Sequence, residues 1–326
     1  MTSNSTIFDI KSPSEFEAKA LEVFRFQFKN SPVYRSFCDL LYKHPSDIKR
    51  IVDIPFLPIQ FFKTHTITNS SSSVEKIFTS SGTTGNTTSK HHVSDLKLYE
   101  ASYQNAFKHF YGTTTDYVVL ALLPSYLERD GSSLIYMVND LIHQSGHDES
   151  GFYLNNISDL AETLQRLEAA NQKTLLIGVS FALLDLVEQF QFNLNHTVVM
   201  ETGGMKGRRK EMIRQELHKK LISGFGVDKI HSEYGMTELL SQAYSSGNGI
   251  FNCPPWMQVL TRDTEDALTI QNPDKTGGLN VIDLANLNSC SFIATQDLGK
   301  VYNDGSFEVI GRFDNSDIRG CNLMAL

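Results

Sequence analysis

Residues 174–200 read TLLIGVSFALLDLVEQFQFNLNHTVVM. Thr174-Leu175-Leu176-Ile177 at one end and Thr197-Val198-Val199-Met200 at the other are short runs suited to buried strands, and Phe181 to Phe190 between them reads as a helix. Strand, helix, strand at this spacing is the repeating unit of a mostly parallel sheet with helices on its faces. The strongly apolar stretch from Leu175 to Val187 is too short to cross a bilayer and contains Asp185.

The rhythm continues on both sides. Upstream, Glu100 to Phe110, Ser133 to His143 and Ile157 to Ala170 read as helices, and Tyr117 to Leu123 as a buried strand. Downstream, Glu211 to Leu221 is an amphipathic helix. Nearer the amino terminus, Ser12-Pro13-Ser14-Glu15 has the form of a capping box with proline at the first helical position. Leu21, Phe24 and Phe28 then form a core-facing stripe, and a second helix carries Tyr34, Phe37, Leu40 and Leu41. Two prolines keep Ile54 to Pro58 from being regular helix. After Gly247 the signals become short and β-like: Ala267 to Gln271, Gly278 to Leu284, Ser291 to Thr295 and Ser306 to Ile310, with a hairpin turn at Asn303-Asp304-Gly305. The expected organisation is an α/β core over 1–246, a β-rich subdomain of that core over 247–312, and a carboxyl-terminal segment over 313–326.

Composition narrows the function classes. The 326 residues are 40% hydrophobic and 20% charged, which is a chain able to bury a substantial core. The net charge of −8 argues against nucleic acid or an anionic membrane as the main partner. Cys38, Cys253, Cys290 and Cys321 show no zinc spacing and no disulfide framework. Met1 to Ile10 has no apolar signal-peptide region, so a cytoplasmic protein is expected.

Three constellations carry possible chemistry. The first is Thr79-Ser80-Ser81-Gly82-Thr83-Thr84-Gly85-Asn86-Thr87-Thr88-Ser89-Lys90, within a stretch where 15 of residues 64–90 are Ser or Thr. Glycines there let backbone N–H groups and hydroxyls surround phosphate oxygens. The spacing is not that of a Walker loop, and a Ser/Thr-rich surface loop is the plain alternative. Ile77 and Phe78 suggest a strand entering the turn directly. The second is Glu233-Tyr234-Gly235-Met236-Thr237-Glu238, which read alone is a strand-end turn. The third is Asp297-Leu298-Gly299 followed by Gly311-Arg312-Phe313-Asp314, each alone a common turn composition.

The order of these strings, with Gly203-Gly204 between the first and second, resembles that of the adenylate-forming superfamily. The loop departs from the usual pattern, since Asn86-Thr87-Thr88-Ser89-Lys90 stands where Pro-Lys is customary. Pro55-Phe56-Leu57-Pro58, Phe62-Lys63 and the closing run from Gly311 to Leu323 further resemble the acyl-protein synthetases. Those are the fatty-acid-activating subunits of bacterial bioluminescence fatty-acid reductase complexes.

The resemblance implies an adenylate-forming amino-terminal-domain-like fold and a ligase that makes an acyl-adenylate from ATP and a carboxylic, chiefly fatty, acid. Ser81, Gly82, Thr83, Thr84 and Gly85 would hold the β- and γ-phosphates. Gly203 and Gly204 would form the wall beside adenine, and Tyr234, flanked by Glu233 and Gly235, would stack on the base. Thr237 and Glu238 would meet the α-phosphate and Mg²⁺, a hard cation suited to carboxylate and phosphate oxygens. Asp297 would hold the ribose hydroxyls with Arg312 nearby. His231 is read as structural rather than as a base.

The second half-reaction needs a nucleophile, and Cys321 matches the carboxyl-terminal cysteine of acyl-protein synthetases. It lies nine residues beyond Arg312, so at ~3.3–3.6 Å per extended residue it has a reach of about 30 Å. A thioester on Cys321 would pass to an acyl-accepting reductase or carrier protein. Only 14 residues follow Arg312, so the superfamily's mobile carboxyl-terminal domain with its catalytic lysine is expected to be missing. Two other readings stay open: a CoA ligase that uses a soluble thiol, and a non-catalytic nucleotide-binding partner. Phe107, Phe110, Tyr126, Leu134 and Tyr136 suit an acyl pocket or simple core packing equally.

Overall fold

The computed structural model describes residues 7–69, 73–80, 88–123, 131–153, 156–203 and 212–313. They form two compact units. One draws on 76–88 and 96–251, the other on 1–75, 89–95 and 252–326.

The first unit is the parallel sheet that residues 174–200 predict. Strands Gly151–Phe152, Val118–Leu122, Thr174–Val179, Thr197–Thr202 and His231–Tyr234 lie side by side in that order, all parallel. Ala243–Ser245 then pairs antiparallel with His231–Tyr234. Every residue of Val118–Leu122 and Thr174–Val179 is buried, the pattern of strands covered on both faces. Helices Leu96–Tyr111, Ser133–Ser145, Ile157–Ala169, Ser180–Gln189 and Arg214–Phe225 connect and cover them. The last of these begins three residues later than the amphipathic pattern suggests and runs four residues further, to Phe225. Strand Lys76–Thr79 also belongs here. Phe78 is buried against Tyr99 and Tyr136, and the Thr79 N–H donates to the Gly131 carbonyl at 2.8 Å.

The second unit holds a twisted antiparallel sheet. Strands Met257–Arg262, Thr276–Asp283, Phe292–Val301 and Phe307–Arg312 pair in sequence, and Leu57–Pro58 adds a short parallel pairing to the third. The Asn303-Asp304-Gly305 turn closes the expected hairpin. Ser12 caps helix Pro13–Asn30 by accepting from the Glu15 N–H, while Glu15 reaches past the cap to the Lys11 N–H. Phe24 and Phe28 are buried as the stripe predicts, whereas Leu21 is only half-buried. A polar residue shares that face: Gln27 is fully buried, donating to the Asn286 and Leu287 carbonyls and accepting from the Ser291 N–H. Tyr34 stacks on Phe292, and Phe24 and Phe56 meet the same ring edge-on.

Three sequence expectations need correction. Ala267 to Gln271 is not a strand: Asp263 and Asp266 accept N–H groups from residues two and three ahead and wind it into turns, leaving one bridge from Ile270 to Arg262. Asp297-Leu298-Gly299 is not a turn but the middle of Phe292–Val301, where a bulge between Leu298 and Gly299 bends the ladder. Leu41, read as part of the second helix, lies just past its end: the helix runs Pro32–Leu40, with Leu41 as its C-cap.

Candidate functional site

Within the parallel-sheet unit, six of the expected residues meet at the carboxyl ends of two neighbouring strands. Thr197–Thr202 ends directly before Gly203, whose φ of +69° is a conformation that glycine adopts without a Cβ penalty. The adjoining strand ends with Glu233 and Tyr234, and the chain then turns through Gly235, Met236, Thr237 and Glu238. In open α/β sheets this edge, at the carboxyl ends of parallel strands, is where ligands bind.

The strand register builds the local chemistry. Thr202 pairs with Glu233 across the ladder, and its hydroxyl donates to Glu233 Oε2 at 2.5 Å. The other carboxylate oxygen folds back over Gly235: a Cβ on that residue would lie inside 3.0 Å of Glu233 Oε1. Burial raises the Glu233 carboxyl to about 7, with the Glu201 charge adding to the rise and the Thr202 hydrogen bond opposing it. Tyr234 is 9% exposed, its ring 5.8 Å from that of Phe251. Thr237 is half-buried and Glu238 is buried. His231 is lowered to about 4 by burial and by Lys229, and its Nδ1 lies 3.2 Å from the Tyr111 hydroxyl. It is neutral at pH 7 and packed in place, the structural role its position suggests.

Within the other unit, Asp297 and Arg312 come together. They are direct partners on the two strands of the hairpin, and Arg312 Nε donates to Asp297 Oδ1 at 3.1 Å. The Asp297 side chain is 9% exposed and that of Arg312 74%, so a shielded carboxylate lies beside an open guanidinium.

The glycine loop residues Ser81, Gly82, Thr83, Thr84 and Gly85, together with Gly204 and Cys321, lie outside the described residues. Of the other thiols, Cys38 and Cys290 are buried and Cys253 is half-buried, and all three are free. Burial drives Cys38 up to about 12 and raises Cys253 and Cys290 as well, so none carries appreciable thiolate at neutral pH. Phe107 is buried, with its ring against those of Tyr111 and Tyr117.

Sequence reasoning missed Glu201, Ser180, Arg214 and His218. Glu201 is a buried carboxylate one residue before Thr202, and the other three contact it. The signal available was an acidic residue closing the apolar run Thr197-Val198-Val199-Met200 just before the glycine pair. These partners are 13 to 21 residues away along the chain.

Residues 8–106 match the family described as LuxE, acyl-protein synthetase. The long-chain-fatty-acid–luciferin-component ligase of Photorhabdus luminescens is 39% identical over 66 residues, covering 20% of this chain and 56% of that protein. The match thus spans little more than half of that relative's length. Among solved structures, a 2-hydroxyisobutyryl-CoA ligase in complex with 2-HIB-AMP and CoA superposes with a TM-score of 0.65 at 12% identity, over 93% of this chain and 70% of the ligase. ATP-bound MatB from Rhodopseudomonas palustris gives a TM-score of 0.57 at 17% identity, over 75% of this chain and 49% of MatB. The chain therefore carries the fold of adenylate-forming ligases, and its amino-terminal third is similar in sequence to the LuxE acyl-protein synthetases.

Proposed function

We propose that this chain is an ATP-dependent acyl-protein synthetase: it activates a carboxylic acid, chiefly a fatty acid, as the acyl-adenylate and passes the acyl group through a protein thiol. The observation that carries the reading is the strand-end constellation from Glu233 to Glu238 beside Gly203, on the fold of adenylate-forming ligases.

In the first step a carboxylate oxygen of the acid attacks the α-phosphorus of ATP, and pyrophosphate leaves with the electrons of the broken P–O bond. Tyr234 and Gly203 hold the base. Asp297 holds the ribose and Arg312 adds positive charge. The loop from Ser81 to Gly85 with Gly204 completes the phosphate and adenine contacts. Such positioning, with charge stabilisation, is what an in-line displacement needs from a protein. Glu238 and Thr237 suit Mg²⁺, which takes one or two carboxylates and completes its shell with phosphate oxygens and water. Among the described residues no group of three or more His, Cys, Asp or Glu side chains could hold a metal. Held at Glu238, Mg²⁺ would supply positive charge that offsets the charge of the phosphates.

In the second step the Cys321 thiolate attacks the acyl carbonyl, AMP leaves, and the thioester passes to an acyl-accepting reductase or carrier. Burial raises Cys38, Cys253 and Cys290, which makes those three poor candidates for the carrier thiol. Among the described residues no helix is long and apolar enough to cross a membrane. We place the enzyme in the cytoplasm, where free thiols such as Cys38 and Cys290 persist.

A second reading is favoured by one observation. The structure matched over 93% of this chain is a CoA ligase with CoA bound. In that reading the thiol is CoA, and Cys321 is dispensable.

Intact-protein mass spectrometry after incubation with ATP, Mg²⁺ and a panel of carboxylic acids tests the proposal. An ATP-dependent mass increase equal to one acyl group, removed by hydroxylamine, is expected. Formation of a CoA ester with no protein adduct would establish the second reading, and no adenylate with any acid would remove both.

A further inference from the structure

The roles above leave one buried carboxylate of the parallel-sheet unit unused. Glu201 is 5% exposed and lies on the strand that ends at Gly203. Its Oε2 accepts from Ser180 Oγ at 2.9 Å and its Oε1 from Ser232 Oγ at 3.0 Å. His218 Nε2 and Arg214 Nε approach Oε1 at 3.4 and 3.5 Å. Burial alone would raise the carboxyl. The His218 hydrogen bond, the nearby Arg214 and His218 charges and the Ser180 hydroxyl outweigh it and hold Glu201 below its ordinary value. It is therefore an anion at neutral pH.

The partners come from three different elements. Ser180 opens helix Ser180–Gln189, Ser232 lies on the strand that ends in Tyr234, and Arg214 and His218 are one turn apart on helix Arg214–Phe225. Two routes lead from this carboxylate to the ligand-facing edge. Ser180 Oγ is also 2.9 Å from the Gly203 carbonyl oxygen and shares its proton between the two acceptors. Arg214 lies over the Phe251 ring, 5.0 Å from its centroid, and Phe251 packs on Tyr234. A well-packed apolar cluster would stabilise the fold as well as a buried ionic one. It would not fix a carbonyl and an aromatic ring in one orientation.

We propose that Glu201 is a positioning residue for nucleotide binding: through Ser180 it orients the Gly203 carbonyl, and through Arg214 and Phe251 it orients the Tyr234 ring. The inference rests on the reading of Gly203 and Tyr234 as adenine contacts. Preorganisation of this kind raises affinity by removing ordering costs at the moment of binding.

The test is calorimetric titration of AMP and ATP into the whole chain, with thermal unfolding of each variant alongside. Ser180→Ala deletes one hydroxyl, and its AMP and ATP affinities should fall together by about fivefold to tenfold, the worth of one hydrogen bond. Ser180→Thr, which keeps the hydroxyl, should restore them. Glu201→Gln keeps the shape and loses the charge, and it should weaken both nucleotides equally; it carries the test if the alanine variant does not fold. Affinities equal to wild type in Ser180→Ala and Glu201→Gln overturn the proposal, as does a lower melting temperature with unchanged AMP affinity, which is a merely structural role. A wild-type chain that binds neither AMP nor ATP removes the nucleotide reading itself, and that result is distinct from a variant that fails to differ.

Discussion

Thr202 and Glu233 stand opposite each other on neighbouring parallel strands, joined by a hydrogen bond from the threonine hydroxyl to Glu233 Oε2 at 2.5 Å. One residue earlier, Ser232 donates to Glu201 across the same pair of strands. Successive side chains of a strand point to opposite faces, so the two strand ends are tied together on both faces of the sheet. Gly203 and Tyr234 follow directly.

The Glu233 carboxyl gives the protein a pH dependence. Its pKa is raised from 4.5 to about 7 in the folded state. Its contribution to stability is full below pH 4.5 and is lost as the pH rises through about 7. His231 works in the other direction. Its pKa is lowered from 6.5 to about 4, so its contribution is present above pH 6.5 and lost as the pH falls toward 4. The two oppose between pH 4.5 and 6.5. Glu233→Gln removes only the first, and its melting temperature relative to wild type should climb steadily between pH 4.5 and 7. A constant difference across that range would show that Glu233 titrates normally.

Gly235→Ala should disturb the same carboxyl from the other side. The added Cβ takes the space of Glu233 Oε1. The carboxylate is the free end of a flexible side chain, so it swings away rather than forcing the backbone. The cost is the Thr202 hydrogen bond, about 1 kcal/mol. Once moved toward solvent, Glu233 should titrate nearer its ordinary value and the pH dependence above should flatten. Unfolding curves at pH 5 and pH 7 measure both effects, and an unflattened profile would show the carboxyl still in place.

Asp297→Ala separates binding from folding. The ion pair it removes has a partner that is 74% exposed, and such pairs stabilise by less than about 1 kcal/mol. Hydrogen bonds to a charged group are worth roughly 1.5–3 kcal/mol each. ATP and AMP affinities should therefore both fall by about tenfold or more, with little change in unfolding. The one tryptophan of the chain, Trp256, is buried against Phe8 in the same unit, and its fluorescence reports that folding. Unaltered nucleotide affinity would exclude Asp297 from the site.

Replacing Thr83 and Thr84 by Val deletes two hydroxyls at nearly constant volume. A loop that holds the β- and γ-phosphates should then lose ATP affinity and acid-dependent pyrophosphate exchange, while AMP affinity changes much less. Equal losses for AMP and ATP would mean that the loop does not meet those phosphates.

Cys321→Ala divides the two proposed steps, because the thiolate acts only in the second. Carboxylate-dependent pyrophosphate exchange should continue, and hydroxylamine-labile acylation of the protein should disappear. Acyl label at wild-type stoichiometry on the alanine variant would dismiss Cys321 as the carrier.

Local signals in the sequence were sufficient for several of the elements, though not for Ala267 to Gln271, which the Asp263 and Asp266 side chains wind into turns. The alternation of Thr174–Ile177, Phe181–Phe190 and Thr197–Met200 dictates a parallel sheet, because each run is short and apolar and the helix between them returns the chain. Ser12 and Asn303-Asp304-Gly305 likewise determine a helix start and a hairpin through bonds among near neighbours. The motif string from Glu233 to Glu238 stood out as a candidate site because its residues are contiguous. Tertiary structure alone decided the rest. Asp297 lies mid-strand opposite Arg312 through the register of a bulged hairpin, and Glu201 finds Ser180, Arg214, His218 and Ser232 only where strands and helices from 180 to 232 converge. Those partners are set by packing between elements, and no spacing along the chain encodes them.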